Sequence, residues 1–220
     1  VANDRPWHSY SDMGMTEQFQ GSIPLVDLSC AGPTAVSALE QAINSYEGEA
    51  KIRLALALAL VGSAAGVPTL LAAVNQTLAG SSLPRRDSHI LYAGSSPDQG
   101  ALPQIVCWLH GLALTADGRS LPVWQRVVDL LAAAAIEDVA DGRKGVFHYV
   151  EVVCAAIERL GMATAVPILR QLHSYAPFHG LVCRQGFQVD FFTERRAYLE
   201  LLIGRALARC GSPQGCVILI

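Results

Sequence analysis

The chain has few charged and few aromatic residues, and it lacks the patterns that identify most enzymes and metal sites. Only 16% of its 220 residues are charged and 7% are aromatic, against about 25% charged in an average soluble protein. The net charge is −3, without any basic block, so we expect no nucleic-acid partner. Glycine fingerprints for nucleotides, the Gly-x-Ser-x-Gly turn and His-Glu-x-x-His are also absent. The sequence therefore predicts no catalytic residue, no cofactor and no metal in this chain.

The cysteines are not spaced for a metal site or a disulfide framework. None of the six forms a Cys-x-x-Cys pair. Three lie inside apolar runs, where a free cysteine behaves as a small hydrophobic residue. Reduced thiols of this kind favour a cytoplasmic location. The six are Cys30, Cys107, Cys154, Cys183, Cys210 and Cys216.

One long uncharged stretch raises the question of a membrane. No charged residue occurs from Leu54 to Leu83, which is long enough to cross a bilayer. However, Gly62–Gly66 and Pro68 interrupt the stretch and leave two pieces of ordinary helix length. Val1–Tyr10 is polar and mixed, unlike a signal peptide. We therefore predict no membrane partner.

A short phrase occurs five times along the chain. It consists of a turn residue, a small residue, a branched apolar residue, usually Pro, and a large apolar residue. Gly can end a helix in the left-handed conformation, Ser or Asp can cap the next helix, and Pro is tolerated in a first turn. Each phrase therefore predicts a tight turn between two antiparallel helices, whose small residue lets them approach closely. The copies are Gly32–Leu39, Ser63–Leu70, Asp117–Trp124, Met162–Leu169 and Ser212–Leu219, with Gly62, Gly161 and Gly211 before three of them.

These turns predict an all-α fold, an α-solenoid of antiparallel helix pairs over residues 29–220, after an irregular lead segment 1–28. We take Ser37, Pro68, Pro122, Pro167 and Val217 as equivalent points. First helices of the pairs are expected at 50–61, 101–115, 146–160 and 193–209. Second helices are expected at 33–46, 65–79, 120–138, 165–175 and from 213, with long inserted loops at 80–100 and 176–192.

The last residues, Cys216–Ile220, are apolar and fall in a helix that has barely begun. A solenoid normally ends in a polar cap. The sequence therefore predicts a solenoid truncated at its C-terminal end, as a piece of a longer protein, or an end that a partner covers.

Ionisable residues gather on both predicted loops, where they could bind an anion or transfer protons. The alternative is that they only solvate the loops, with the arginines paired to the nearby aspartate. If both loops emerge on one side of the stack, the two groups would line one face. The candidate binding residues are Arg85, Arg86, Asp87, His89, Tyr92 and Asp98 on the first loop, with His173 and Arg184 at the second.

Two further groups of polar and aromatic residues are more typical of structural positions than of a site. Asp141–Gly145, followed by His148 and Tyr149, has the composition of a turn. His110 and Trp108 lie on an apolar helix, which is more typical of core residues than of a site.

The helix pairs resemble HEAT-like repeats, and several phrases resemble the helical C-terminal region of bacterial FAD-dependent oxidoreductase-like proteins. The resemblance implies that a flavin-binding domain precedes the helices, so that FAD would belong to an upstream domain missing here. It assigns no flavin contact to any residue of this chain. The phrases are Ile23–Leu28, Leu83–Ile90, Tyr92–Ala101 and Tyr198–Gly211.

Three hypotheses for function follow. The first is a non-catalytic repeat module, possible part of an oxidoreductase, that contacts another domain or protein subunit. The second is an enzyme with an acid–base or anion-binding site between loops 80–100 and 176–192, using Asp87, His89, His173 and Arg184. The third is a free-standing peptide-binding scaffold, whose groove would expose aromatic residues such as Trp124 and Tyr175. The sequence does not determine the oligomeric state.

Overall fold

A computed structural model describes residues 32–85, 103–134, 147–175 and 191–219 of the chain. Within these ranges all regular elements are helices and no strand occurs, so the predicted all-α class is confirmed. The lead segment 1–28 and most of both long loops lie outside them. The described α-helices are α1 (Gly32–Ala42), α2 (Gly48–Leu60), α3 (Val67–Thr77), α4 (Gln104–Thr115), α5 (Leu121–Ala132), α6 (Phe147–Leu160), α7 (Val166–His173), α8 (Phe191–Arg209) and α9 (Pro213–Leu219).

The predicted helix bounds hold within about three residues for most elements, and two predictions need correction. Helix α5 ends at Ala132 and not at 138. Its last alanines, Ala132 and Ala133, are exposed, so they bury no apolar surface that would extend it. In α1 the second residue is Pro33, the place that Pro68 takes in α3. Ser37 is therefore not the point equivalent to Pro68.

Three of the recurring phrases form the same corner between consecutive helices. Each contains a single turn of 3₁₀-helix, at Ala64–Gly66, Gly118–Ser120 and Ala163–Ala165. The α-helix that follows has Pro as its second residue in all three. Pro fits there because the first backbone N–H groups of a helix have no intrahelical partner.

A left-handed residue precedes every one of these corners. The φ angles are +80° at Gly62, +59° at Gly161 and +79° at Gly211, before α9. Glycine adopts this conformation without a steric penalty. At the second corner the residue is Ala116, with φ +48°, and it is the one non-glycine residue with positive φ in the described part of the chain.

The fourth residue after the left-handed position is small and buried at each corner. These residues are Gly66, Ser120, Ala165 and Gly215. A Cβ added to Gly66 would lie 2.7 Å from the backbone Cα of Ala55 in α2. The predicted close approach of paired helices at this point is therefore confirmed for the first corner, and its physical reason is contact between backbones.

The first helices of the four pairs pack in succession. Helix α4 contacts α2 and α3 on one side and α6 on another, and α6 in turn contacts α8. One apolar core runs from Ile43 to Cys210 through these contacts. Across the described ranges, no helix combines the length and apolar character needed to cross a membrane.

Candidate functional site

Two of the eight predicted binding residues lie in the described part of the chain. Arg85 is exposed at the end of the first described range, and His173 is partly buried at the last residue of α7. The other six, Arg86, Asp87, His89, Tyr92, Asp98 and Arg184, lie outside the described residues. A shared site between the two loops therefore stays a prediction.

Hydrogen bonds join the start of the loop at 80–100 to two helices. Arg126 of α5 donates from Nη2 to the carbonyl oxygen of Gly80 at 2.8 Å and from Nε to that of Leu78 at 3.2 Å. The hydroxyl of Tyr149 in α6 donates to the carbonyl oxygen of Pro84 at 2.7 Å. The bond from Tyr149 joins the backbone just before Arg85 to α6.

The first turn of α6 also holds an imidazole–carboxylate pair. Nδ1 of His148 lies 2.9 Å from Oε2 of Glu151, three residues later on the same helix. His148 is only 7% exposed. A carboxylate on Nδ1 fixes the orientation of an imidazole ring and favours the tautomer whose Nε2 can accept a proton. The pair orients the ring of His148 within the first turn of α6.

A second buried histidine lies on α4, the helix that packs against α6. His110 is 4% exposed, and its Nδ1 has no hydrogen-bond partner among the described residues. Burial, and secondly the charge of His148, lower the pKa of His110 to about 3. His110 is therefore neutral at physiological pH, because a buried charge would be poorly solvated. The sequence-based prediction of a core position for His110 is confirmed, whereas its electrostatic interaction with His148 on another helix was missed.

Sequence spacing gave no signal for this interaction, because the two histidines are far apart along the chain. A comparison of equivalent positions in two helix pairs does single out His110. His110 stands six residues before the left-handed Ala116, where the first pair has the buried Leu56 before Gly62. A histidine in place of a buried leucine is unusual, because it puts a polar ring among apolar side chains.

The cysteines inside the helices have the chemistry of core residues. Burial raises the pKa of the Cys107 thiol to about 12, and it also raises the pKa of Cys154 and of Cys210. Thiols react as thiolates, so these three are inert at neutral pH. Among the described residues no group of three His, Cys, Asp or Glu side chains could hold a metal ion.

Of the two aromatic residues expected in a peptide groove, one is fully buried and the other is partly buried. Trp124 is fully buried, and its Nε1 donates to Oγ of Ser120 at 2.8 Å. Tyr175 is partly buried, and its hydroxyl donates to the carbonyl oxygen of Ala134 at 2.6 Å. The prediction that Trp124 lines an open groove is therefore wrong, because this residue fills the core between the helices.

Exposed apolar side chains collect instead on the last two helices. Leu201 of α8 is 45% exposed, and Val217 and Leu219 of α9 are 73% and 42% exposed. They are three of the five large apolar side chains that are exposed in the described part of the chain. Val217 and Leu219 are two residues apart on α9, so they point to different sides of this helix and do not form one continuous patch.

Comparison of the chain with known protein families, with curated proteins and with solved structures finds no match.

Proposed function

We propose that the chain is a HEAT-like α-solenoid module that acts by contact with another domain or protein subunit and carries out no reaction by itself. The observation that carries this proposal is the repeated corner. Three corners share a left-handed residue, a 3₁₀ turn and a Pro at the second helical position. Units that repeat a corner and stack their first helices build an extended surface, which repeat proteins use for binding.

The chemistry of the interior supports a role in contact rather than in catalysis. The buried thiols have raised pKa values, and His110 is held neutral by burial. None of these groups can exchange protons near neutral pH. They contribute packing to the core, which is the function that a repeat unit requires of its interior.

The resemblance to FAD-dependent oxidoreductase-like proteins suggests which domain the module contacts. We propose a flavin-binding domain as that partner, with no flavin contact assigned to this chain. Purified chain would then show no flavin absorbance near 450 nm. A stoichiometric flavin chromophore in the purified chain would contradict the proposal.

Native assembly provides the main test of the contact function. The protein would be isolated from its own cells at native abundance, and its mass would be measured by size-exclusion chromatography with light scattering. We expect a complex heavier than the 23.4 kDa chain, with a second polypeptide domain in fixed stoichiometry. Recovery of the free monomer at cellular concentration would contradict the proposal.

The His148–Glu151 pair favours a second candidate, an acid–base enzyme. This pair lies beside Tyr149, which anchors the start of the loop that carries Asp87 and His89. A site would require those side chains, with His173 and Arg184, within hydrogen-bond reach of one ligand. Spin-label distances between residue 148 and residues 87, 89, 173 and 184 test this candidate, and separations far beyond about 10 Å at every pair would remove it.

A further inference from the structure

The segment that follows the first helix pair, residues 78–85, is attached at its far end to the third pair. The hydroxyl of Tyr149 in α6 donates to the carbonyl oxygen of Pro84 at 2.7 Å. Tyr149 is fully buried, and Leu83, next to the acceptor, is 5% exposed and belongs to the apolar core. A hydrogen bond and a buried apolar side chain therefore hold this end of the segment.

The near end of the segment is attached to the second pair. Arg126 of α5 donates to the carbonyl oxygens of Leu78 and Gly80, just past the end of α3. Carbonyl groups at the end of a helix have no intrahelical partner, so a guanidinium group can satisfy them. The segment thus begins on the first pair, contacts the second at Arg126 and reaches the third at Tyr149.

This connection reaches further than the packing of the helices. In the described ranges the extensive helix contacts run between neighbouring pairs, since α4 packs against α2 and α3, and α6 packs against α4 and α5. A unit in such a stack usually contacts only its neighbours. Segment 78–85 therefore adds a link from the first pair to the third that helix stacking does not supply.

A second tyrosine makes the same kind of bond between neighbouring pairs. The hydroxyl of Tyr175, just after α7, donates to the carbonyl oxygen of Ala134, just after α5, at 2.6 Å. Both tyrosines thus bind a backbone carbonyl beyond the end of a second helix. Of the two bonds, the one from Tyr149 is the one that passes an intervening pair.

The repeated backbone plan does not require a tyrosine at this point of α6. Tyr149 stands twelve residues before the left-handed Gly161, where the other first helices have Ala50, Gln104 and Leu199. None of these three side chains has a hydroxyl group. The third pair therefore differs from the others in carrying a donor that serves segment 78–85.

We propose that segment 78–85 is a strap that couples the opening of the first pair to the opening of the third, so that the first three pairs move as one unit. An opening that separates α6 from the strap has to break the Tyr149 bond and expose Leu83. An opening of α3 that displaces the strap does the same. Burial raises the pKa of Tyr149, so its hydroxyl keeps its proton and remains a donor. This coupling needs no partner protein.

Native-state hydrogen exchange of the full chain tests the coupling. Tyr149→Phe removes the hydroxyl and keeps the ring in the core. We expect the protection factors of the Val74 amide in α3 and the Val153 amide in α6 to fall about fivefold, as for the loss of one hydrogen bond. The amide of Leu207 in α8, which can open without breaking the strap, should change by less than about twofold.

Tyr175→Phe is the matched control, because it removes the same group from a bond between neighbouring pairs. It should leave the Val74 amide within about twofold of the parent. Leu83→Ala removes the apolar contact of the strap, and it should lower protection at both Val74 and Val153. Circular dichroism of the variants establishes that they fold.

Each other result would overturn the proposal. A fall at Val153 without one at Val74, or the reverse, would mean that the strap stabilises one pair only. Equal falls at Val74, Val153 and Leu207 would mean that the chain opens as a whole, without a separate unit of three pairs. Unchanged protection at all three amides would show that the Tyr149 bond carries no coupling.

Discussion

The first pair of helices, α2 and α3, and the second pair, α4 and α5, share one backbone plan but fill equivalent positions with different chemistry. The first corner uses glycine at the left-handed position, Gly62, and at the closest approach, Gly66. The second corner has Ala116 and Ser120 at those two places. Both corners have a capping side chain, Ser63 or Asp117, but at the fourth residue the first corner has backbone contact and the second has the side chain of Ser120.

Side-chain hydrogen bonds join the second corner together. Oγ of Ser120 donates to the carbonyl oxygen of Asp117 at 2.7 Å and accepts from Nε1 of Trp124 at 2.8 Å. The carboxylate of Asp117 accepts from the backbone N–H of Arg119 at 2.9 Å. The corner thus accommodates a large Trp where the first pair has Leu70, because its small residue also satisfies the indole N–H. The comparison teaches that corner geometry can be kept by either steric fit or polar pairing.

The largest effect is expected from filling the tight corner. In Gly66→Ala the new Cβ would lie 2.7 Å from the backbone of Ala55, which a flexible side chain cannot relieve. We expect a loss of about 3 kcal/mol in the free energy of unfolding, measured by urea denaturation. Gly80→Ala is the matched control, because nothing lies within 4 Å of its added Cβ. Equal effects of both variants would show that the first corner does not depend on close contact.

The next effect is the pH dependence of stability that His110 of the second pair causes and that Leu56, at the equivalent position of the first pair, does not. Because the pKa of His110 is about 3 in the folded state and about 6.5 in an unfolded chain, only the unfolded chain gains this proton between those values. Stability is therefore lost as pH falls below about 6.5, by up to about 1.4 kcal/mol per pH unit. The substitution His110→Leu, which copies Leu56, should remove that part of the slope.

Urea midpoints at pH 5, 7 and 8 measure this difference. The slope between pH 8 and 7 serves as the internal control, since His110 is neutral in the folded state and mostly neutral in the unfolded chain there, so the variant should nearly match the parent. Below pH 6 the variant should lose stability less steeply. An unchanged slope between pH 7 and 5 would mean that His110 is protonated in the folded protein.

A smaller effect tests the polar pairing of the second corner. Ser120→Ala removes the acceptor of the Trp124 indole N–H and leaves this donor buried, at a cost of about 2 kcal/mol. Adding Trp124→Phe to this variant removes the unpaired donor as well, so the double variant should be less destabilised than the sum of the two single variants. Strict additivity in thermal unfolding would contradict a coupling between Ser120 and Trp124.

Much of the fold could be predicted from the sequence, because its corners carry strong local signals. Gly permits the left-handed turn, Ser or Asp caps the next helix and Pro fixes φ, so the positions of Pro68, Pro122 and Pro167 follow without tertiary information. The end of α5 was placed too late, because alanines favour a helix locally, whereas Ala132 and Ala133 are exposed here. Ser37 was wrongly taken as equivalent to Pro68, because the first copy of the phrase can be aligned either at Pro33 or at Val36.

The candidate site could be predicted far less well. Of the apolar segment Cys216–Ile220, the structure shows that Val217 and Leu219 are exposed, while the predicted truncation of the solenoid stays a prediction. The electrostatic effect of His148 on His110 depends on the packing of α4 on α6, which single-helix periodicity does not contain. The left-handed Ala116 was also invisible, since the sequence signal for that conformation is glycine.

The smallest predicted effect uses that alanine to complete the comparison of the two corners. Ala116→Gly should stabilise the protein by about 1 kcal/mol, because it relieves a left-handed conformation that is costly for a residue with a Cβ. Gly62→Ala makes the reverse change at the equivalent position, where φ is +80° and no atom lies within 4 Å of the added Cβ, so it should destabilise by a similar amount. Opposite shifts of the melting temperature would show that backbone conformation alone separates the corners at this position. If Ala116→Gly instead destabilised the protein, the Cβ of Ala116 would have a packing role that outweighs its strain.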